Sequence, residues 1–429
     1  MSRHGMVKAK GRHFEYEDGT MYLPFGTTIY ALAHQTPELI EETFDTLKTA
    51  PFNKIRMCVF PKKYVFNDNE PRWYPWENRA DGSWNVDAPV KEYWDNLESV
   101  ITRLDAMEIE CDLILFHPYD KWGFSSMSLE DDKKYLQYVI NRFGNLDNIW
   151  WSLANEYDLL YSVKPLEHWC EIEDYVAQHD PRHHLLSNHN CFAFWNVNRP
   201  NITHGSYQTK CMASIEEYVK NTSKPIVIDE CCYEGNIEML WGSITPEEMT
   251  ARVWQCVASG AYCTHGETYT DENDVLWWAK GGKLKGQSVS RIAFCRDIYE
   301  SLGTALEPYE EPFDFFEIFK LEEDFTLTPS GASMPIAKAA HSEQDARMLA
   351  YMEHEYLVHS PDDSIVLKYT YNLQPTGMML ALDKNKKYKV EVIDTWNMTR
   401  KTAAEEVSGI TKVKLPGKPY VAVLATATN

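Results

Sequence analysis

Two short apolar runs, each closed by a glutamate, constrain this chain more than any other feature. The first is Ile149-Trp150-Trp151-Ser152-Leu153-Ala154-Asn155-Glu156, and the second is Pro225-Ile226-Val227-Ile228-Asp229-Glu230. Neither has helical spacing. A short apolar run of this kind suits a strand buried on both faces, as in a parallel sheet covered by helices. In a closed barrel of alternating strands and helices, the C-terminal strand ends share one face, so glutamates distant in sequence meet across a cleft.

The rest of the chain keeps the alternation. Strands are expected at residues 23–27, 53–59, 111–116, 149–154, 184–187, 202–204, 225–228 and 261–265. Helical spacing falls between them, at 36–49, 90–107, 128–143, 165–178, 214–220 and 246–259, with a closing helix at 287–300. Thr36 with Pro37 suits an N-cap and first helical position, and Ser128 with Asp131 resembles a capping box. Eight alternating strands predict an α/β fold, a (β/α)8 TIM barrel over residues 23–303, in preference to an open doubly wound sheet. No GxGxxG follows the first strand, which argues against a nucleotide site. Residues 1–22 predict a hairpin on the barrel bottom, turning at Glu17-Asp18-Gly19-Thr20. A connection rich in proline and acid, 304–346, leads to residues 347–429. There, short runs at 348–351, 364–371, 378–381, 388–393, 412–415 and 420–424 predict a small antiparallel β-sandwich.

Composition removes several classes of function. Forty-two Lys and Arg stand against 64 Asp and Glu, a net charge of −22 that repels phosphate backbones and anionic membranes. Neither nucleic acid nor a membrane is therefore expected as a partner, and no stretch is apolar enough to span a bilayer. The aromatic share of 13%, with 14 Trp and 25 Tyr, supplies flat apolar faces suited to sugar rings. The first ten residues lack the apolar core of a secretory signal, and the ten cysteines lack zinc-ligand spacing, so a cytoplasmic location is expected. His183, His184 and His189 do not have the spacing of a metal-binding helix, and Cys231-Cys232 has no partnered base. No metal and no cofactor is expected.

The dipeptide Asn155-Glu156 by itself says little, since Asn69-Glu70 repeats it in a loop and Asp271-Glu272 repeats Asp229-Glu230. Position after buried strands, 74 residues apart, is what distinguishes Glu156 and Glu230. Taken singly, each also fits a rim carboxylate in an ion pair. Taken together they match glycoside hydrolysis, with Glu156 as a general acid kept protonated by partial desolvation and Glu230 as an ionised nucleophile.

These segments resemble the acid/base and nucleophile motifs of clan A retaining glycoside hydrolases. Residues 23–28 (LPFGTT), 53–57 (NKIRM), 154–158 (ANEYD), 229–231 (DEC), 264–269 (THGETY) and 276–282 (LWWAKGG) are similar to the apiosidase-like branch. In that branch the barrel precedes a small β-domain, and Ile393-Asp394-Thr395-Trp396-Asn397 is similar to a turn of it. The resemblance implies that Arg56 keeps the nucleophile ionised, that Asn155 binds the sugar 2-hydroxyl, and that His117 and Tyr207 line the cleft, Tyr207 touching Glu230. Many clan A members place a tryptophan at strand eight, where this chain has His265-Gly266-Glu267. His265 and Glu267 are thus further sugar-binding candidates, Glu267 competing with Glu230, while Trp277 and Trp278 offer another platform. The insertion 62–87 carries Tyr64, Phe66, Trp73, Tyr74, Trp76 and Trp84, either an aglycone surface or a self-packed loop. The expected substrate is a terminal sugar, a pentofuranose such as apiose or a β-linked hexose, on a short oligosaccharide or glycoside. A transglycosylase on the same barrel and a non-catalytic sugar-binding protein are the alternatives. The oligomeric state stays open, a homo-oligomer included.

Overall fold

The computed structural model describes residues 4–273, 275–309 and 356–428. They fall into two compact units, one holding the barrel strands and the other the C-terminal sheets. The barrel strands are β1 (Phe25–Thr28), β2 (Lys54–Cys58), β3 (Glu110–Phe116), β4 (Ile149–Ala154), β5 (Leu185–Ser187), β6 (Gly205–Gln208), β7 (Ile226–Glu230) and β8 (Tyr262–His265). They pair in the order β5-β4-β3-β2-β1-β8-β7-β6. Every pairing is parallel. A parallel bridge between His189 and Ser206 spans the gap from β5 to β6, so the ring is nearly closed. The fold is a TIM barrel.

The helices are α1 (Pro37–Leu47), α2 (Lys91–Asp105), α3 (Leu129–Phe143), α4 (Leu166–His179), α5 (Ile215–Lys220), α6 (Pro246–Val257) and α7 (Ser288–Ser301). The Thr36 and Ser128 side chains cap α1 and α3 by accepting from the backbone amides of Leu39 and Asp131. The sixth strand departs from expectation. It is Gly205–Gln208, not 202–204, and its sequence Gly-Ser-Tyr-Gln holds a single large apolar residue, so a search for hydrophobic runs slides onto Ile202.

At the N-terminus three antiparallel strands replace the expected two-stranded hairpin: Val7–Lys10, His13–Tyr16 and Met21–Tyr22. The additional reversal is made at Gly11, whose φ of 58° suits glycine. Phe14 drops into the barrel bottom, its ring 5.0 Å from Trp150, 5.4 Å from Tyr262 and 5.7 Å from His204. The insertion after β2 is not a bare loop either, since Trp76–Asn78 and Trp84–Pro89 pair as an antiparallel hairpin.

In the C-terminal unit, Glu307–Pro308, Tyr356–His359, Ile365–Tyr369, Val421–Ala427, Tyr388–Asp394 and Thr399–Val407 form one antiparallel sheet in that spatial order. Gly377–Ala381 and Ile410–Lys414 form a second. Leu380 and Val413 of the small sheet share a buried cluster with Val366, Tyr388, Val390 and Val423 of the large one, so two antiparallel layers meet face to face. The strand expected at 348–351 and most of the connection 304–346 lie outside the described residues. Thr399–Val407 was not expected, because as an exposed edge strand rich in charge it lacks a hydrophobic alternation. Among the described residues no helix is long and apolar enough to cross a membrane.

Trp150 joins the plug to the barrel wall: it is 1% exposed, stacks near Phe14, and donates its Nε1–H to Glu110 at 2.9 Å. Trp150→Ala is expected to destabilise the fold by about 3–5 kcal/mol, by opening a cavity and removing the donor to a buried carboxylate. Urea unfolding checks this as a lower midpoint at unchanged slope.

Candidate active site

Asn155 and Glu156 follow directly on β4. Glu156 adopts the left-handed region, with φ 53° and ψ 53°, which a residue with a side chain holds only when its surroundings enforce it. Here the loop after β5 does so. His189 Nδ1 accepts from the Glu156 amide at 3.3 Å, and the His189 carbonyl accepts from the Tyr157 amide at 3.0 Å. The Glu156 carboxylate then accepts from the Tyr119 hydroxyl and from Asn155 Nδ2 at 3.2 Å. Glu230 ends β7. Its carboxylate accepts from the Tyr30 hydroxyl and from Arg56 Nη1 at 3.4 Å, and lies 3.9 Å from His189 Nε2.

Gln208 ties the two acids together. With its amide turned so that the NH2 faces its two acceptors, one nitrogen donates to Glu156 Oε1 at 3.2 Å and to Glu230 Oε2 at 3.0 Å. Those two distances taken together bound the separation of the oxygens at 6.2 Å.

The surroundings push the two carboxyls apart in acidity. Burial raises Glu156 above its usual range, and the charge of Glu230 raises it further, against the Tyr119 hydrogen bond and the charge of Lys62. Burial would raise Glu230 too, but His189, Arg56, the Tyr30 hydroxyl and Lys62 outweigh it and hold Glu230 below the usual range. Burial pushes His189 down to about 4, and its Nδ1 is already an acceptor, so near neutral pH the ring is uncharged. Arg56 is therefore the standing positive charge hydrogen-bonded to Glu230. Arg56 is itself braced from below, its Nε 3.7 Å from Asp112 and 3.8 Å from Asp229.

Arg56, Asn155, Glu156 and Glu230 thus come together as expected, and Trp278 joins them, 5.3 Å from the Tyr30 ring. Other candidates are placed elsewhere. His117 Nε2 lies 3.2 Å from the Phe60 carbonyl oxygen. Tyr207 lies within β6, not after it, and packs on Phe194 at 4.6 Å, and a tyrosine that was not anticipated, Tyr30, hydrogen-bonds Glu230. His265 requires correction. Thr264 is the β8 residue that points into the barrel, toward Asp229; His265 bonds Thr27 at 3.0 Å and stacks on Phe52 on the outer side. Trp277 donates to the same Thr27 hydroxyl at 2.9 Å, so it too faces outward. Glu267 anchors the loop ahead of α7: its oxygens accept from the amides of Lys285 at 2.6 Å and Gly286 at 2.7 Å, beside Glu234, which accepts from Gln287 and Ser288 where the helix begins. In the 62–87 segment, Trp76 and Trp84 pack on Trp94 and Phe124, while Tyr64 and Phe66 turn toward Trp278.

Four residues at the acids were not anticipated: Tyr30, Tyr119, His189 and Gln208. Gln208 was hidden by the displaced sixth strand. The other three sit two or three residues past strand ends, and that position was their only signal.

The sequence profile of the apiosidase-like catalytic domain matches residues 8–304, and a domain of unknown function, DUF5605, matches 354–426. A crystal structure from Bacteroides vulgatus ATCC 8482, provisionally assigned as a glycoside hydrolase, is 32% identical with a TM-score of 0.81, covering 99% of this chain and 83% of its own. A glycoside hydrolase family 5 structure from the same organism shares the fold at 13% identity and TM-score 0.69, covering 99% of this chain and 94% of its own. So does a family 5 mannosidase from Rhizomucor miehei, at 13% identity and TM-score 0.51, covering 71% and 99%. A search of curated proteins gave no match. Fold, site and likeness define a glycoside hydrolase built on a TIM barrel. Within that class, the chain belongs to the apiosidase-like family.

Glu267→Gln provides a check on this loop-anchoring role. It is expected to leave kcat/KM within about twofold while lowering stability by roughly 1–2 kcal/mol. Burial raises the Glu267 carboxyl from 4.5 to about 7, so the native state binds its proton more tightly than the unfolded chain. Its contribution to stability therefore falls as pH rises from about 4.5 to about 7. The variant should lose that slope, measured by denaturant unfolding across the window, and a tenfold loss of rate would return Glu267 to the active site.

Proposed function

We propose that this enzyme works by double displacement with retention, releasing a terminal sugar from a short oligosaccharide or glycoside. Glu230 attacks the anomeric carbon while Glu156 gives its proton to the departing glycosidic oxygen, leaving a glycosyl ester on Glu230. Glu156, now ionised, takes a proton from water, whose oxygen attacks the same carbon and frees Glu230. The observation that carries this is the shared Gln208 contact. Two facing oxygens at most 6.2 Å apart, bridged by one amide, are compatible with the roughly 5–5.5 Å between the carboxyl groups of a retaining pair. The opposed acidities of Glu156 and Glu230 support the same division of labour.

For the substrate, membership of the apiosidase-like family favours a pentofuranose such as apiose, with a β-linked hexose as the other choice. The aromatic wall of Trp278, Tyr30 and Tyr64 supports a small carbohydrate partner. Ten cysteines that form no disulfide among the described residues support a reducing compartment such as the cytoplasm.

The test is a panel of aryl glycosides, β-apiofuranosides, β-galactosides and β-mannosides among them, followed by proton NMR of the first-formed product. Hydrolysis with the anomeric configuration kept is expected, with kcat/KM bell-shaped in pH. Glu230→Ala should lose at least about a thousandfold in kcat, partly restored by azide as the inverted glycosyl azide. An inverted first product, or an undiminished rate in Glu230→Ala, would overturn the assignment.

A further inference from the structure

Lys62, in the segment after β2, is buried at 3% exposure close to both acids, yet among the described residues its ammonium makes no ion pair and no hydrogen bond. It is held instead by aromatic faces. Nζ lies 3.3 Å from the centroid of the Tyr30 ring, 4.3 Å from that of Tyr119 and 4.9 Å from that of Trp278. The two nearest rings are those whose hydroxyls donate to the catalytic carboxylates, Tyr30 to Glu230 and Tyr119 to Glu156. A cation over a phenol ring draws on its electron density and makes the hydroxyl a stronger donor.

We propose that Lys62 is a positioning residue acting through both phenols, and that it sets, for the two carboxylates at once, how readily each takes up its proton. This rests on the double-displacement roles given above. Arg56 bonds Glu230 but not Glu156, so it separates the two acidities. Lys62 stands by both and moves them in one direction, which fixes where on the pH scale the pair works.

The other groups facing these side chains do not blur that effect. Lys62 also faces Cys58 and Arg56 of β2, Tyr64 of its own segment, and His117 beyond β3. Glu156 also faces Cys191 and Tyr64, and Glu230 also faces His189 and Tyr233. Burial pushes the Cys58 and Cys191 thiols up to about 12 and the His117 and His189 rings down to about 4, while the tyrosines are raised and Arg56 stays charged. All of these keep one protonation state across neutral pH; burial lowers Lys62 itself, against Cys58, Glu230 and Glu156, which hold its proton, and on this proposal the two limbs of the rate profile belong to Glu230 and Glu156.

The test is the pH dependence of kcat/KM in Lys62→Met and Lys62→Arg. Loss of the charge is expected to move both limbs to higher pH by about one unit, and the arginine variant should bring both back. In a Tyr119→Phe background, Lys62→Met should move the alkaline limb less than it does alone. A lower rate with both limbs in place, or movement of one limb only, overturns the proposal. An equal shift with and without the Tyr119 hydroxyl overturns the route through the phenol. Lys62→Gln carries the same expectations if the methionine variant does not fold. Activity surviving in Glu230→Ala would instead sink the assignment of the acids, whereas an unmoved bell with Glu230 essential sinks only the role of Lys62.

Discussion

The catalytic face depends on the neutralisation of one buried cation. Lys54 points into the barrel with no exposed surface, and a charge so placed is tolerable only if paired on the spot. Asp112 and Asp229 pair with it, at 2.9 and 2.7 Å. Asp229 in turn accepts from Ser206 and from Thr264, both at 2.6 Å, so one carboxylate ties β2, β6, β7 and β8 together directly beneath Glu230. Burial works against its charge, but Lys54 and Arg56 hold Asp229 far below the usual range. Arg56 follows Lys54 on the same face of β2, two residues nearer the rim, and passes the same positive field to Glu230.

A local irregularity completes the alignment. β6 and β7 pair in register through Tyr207 and Ile228, then slip, so that Gln208 stands opposite Glu230 and not opposite Asp229. A bulge of this kind re-aims side chains at a strand end. Here it lets Asp229 stay in the ionic layer while its neighbour faces the cleft, where the Gln208 amide reaches both acids. Strand four supplies the other half, with the loop after β5 gripping the Glu156 backbone through His189.

Much of this was legible in the sequence, for a physical reason. Buried parallel strands are written as uninterrupted apolar runs, so the barrel and the two glutamates that close such runs, Glu156 and Glu230, could be read directly, while Arg56 and Asn155 came from the resemblance to clan A enzymes. β6 could not, because half of its side chains face a polar interior and nothing in Gly-Ser-Tyr-Gln resembles a buried run. Tyr30, Tyr119 and His189 meet only once the ring closes, and none is an unusual residue for a loop. Glu267 carries the same signature as Glu230, a carboxylate just past an apolar strand. Which of the two faces the cleft is decided by where the amides ahead of α7 lie, and the two that Glu267 accepts from belong to residues 18 and 19 positions further on.

The left-handed backbone at Glu156 has a consequence for how far this protein can be hardened. Glycine or asparagine would occupy that conformation with less strain, so either would relieve on the order of 1 kcal/mol. Neither could serve as the general acid that the proposed mechanism assigns to Glu156. At this one position the most durable chain and the working chain differ in sequence, and the choice of glutamate sets the fold slightly below the robustness its own framework allows.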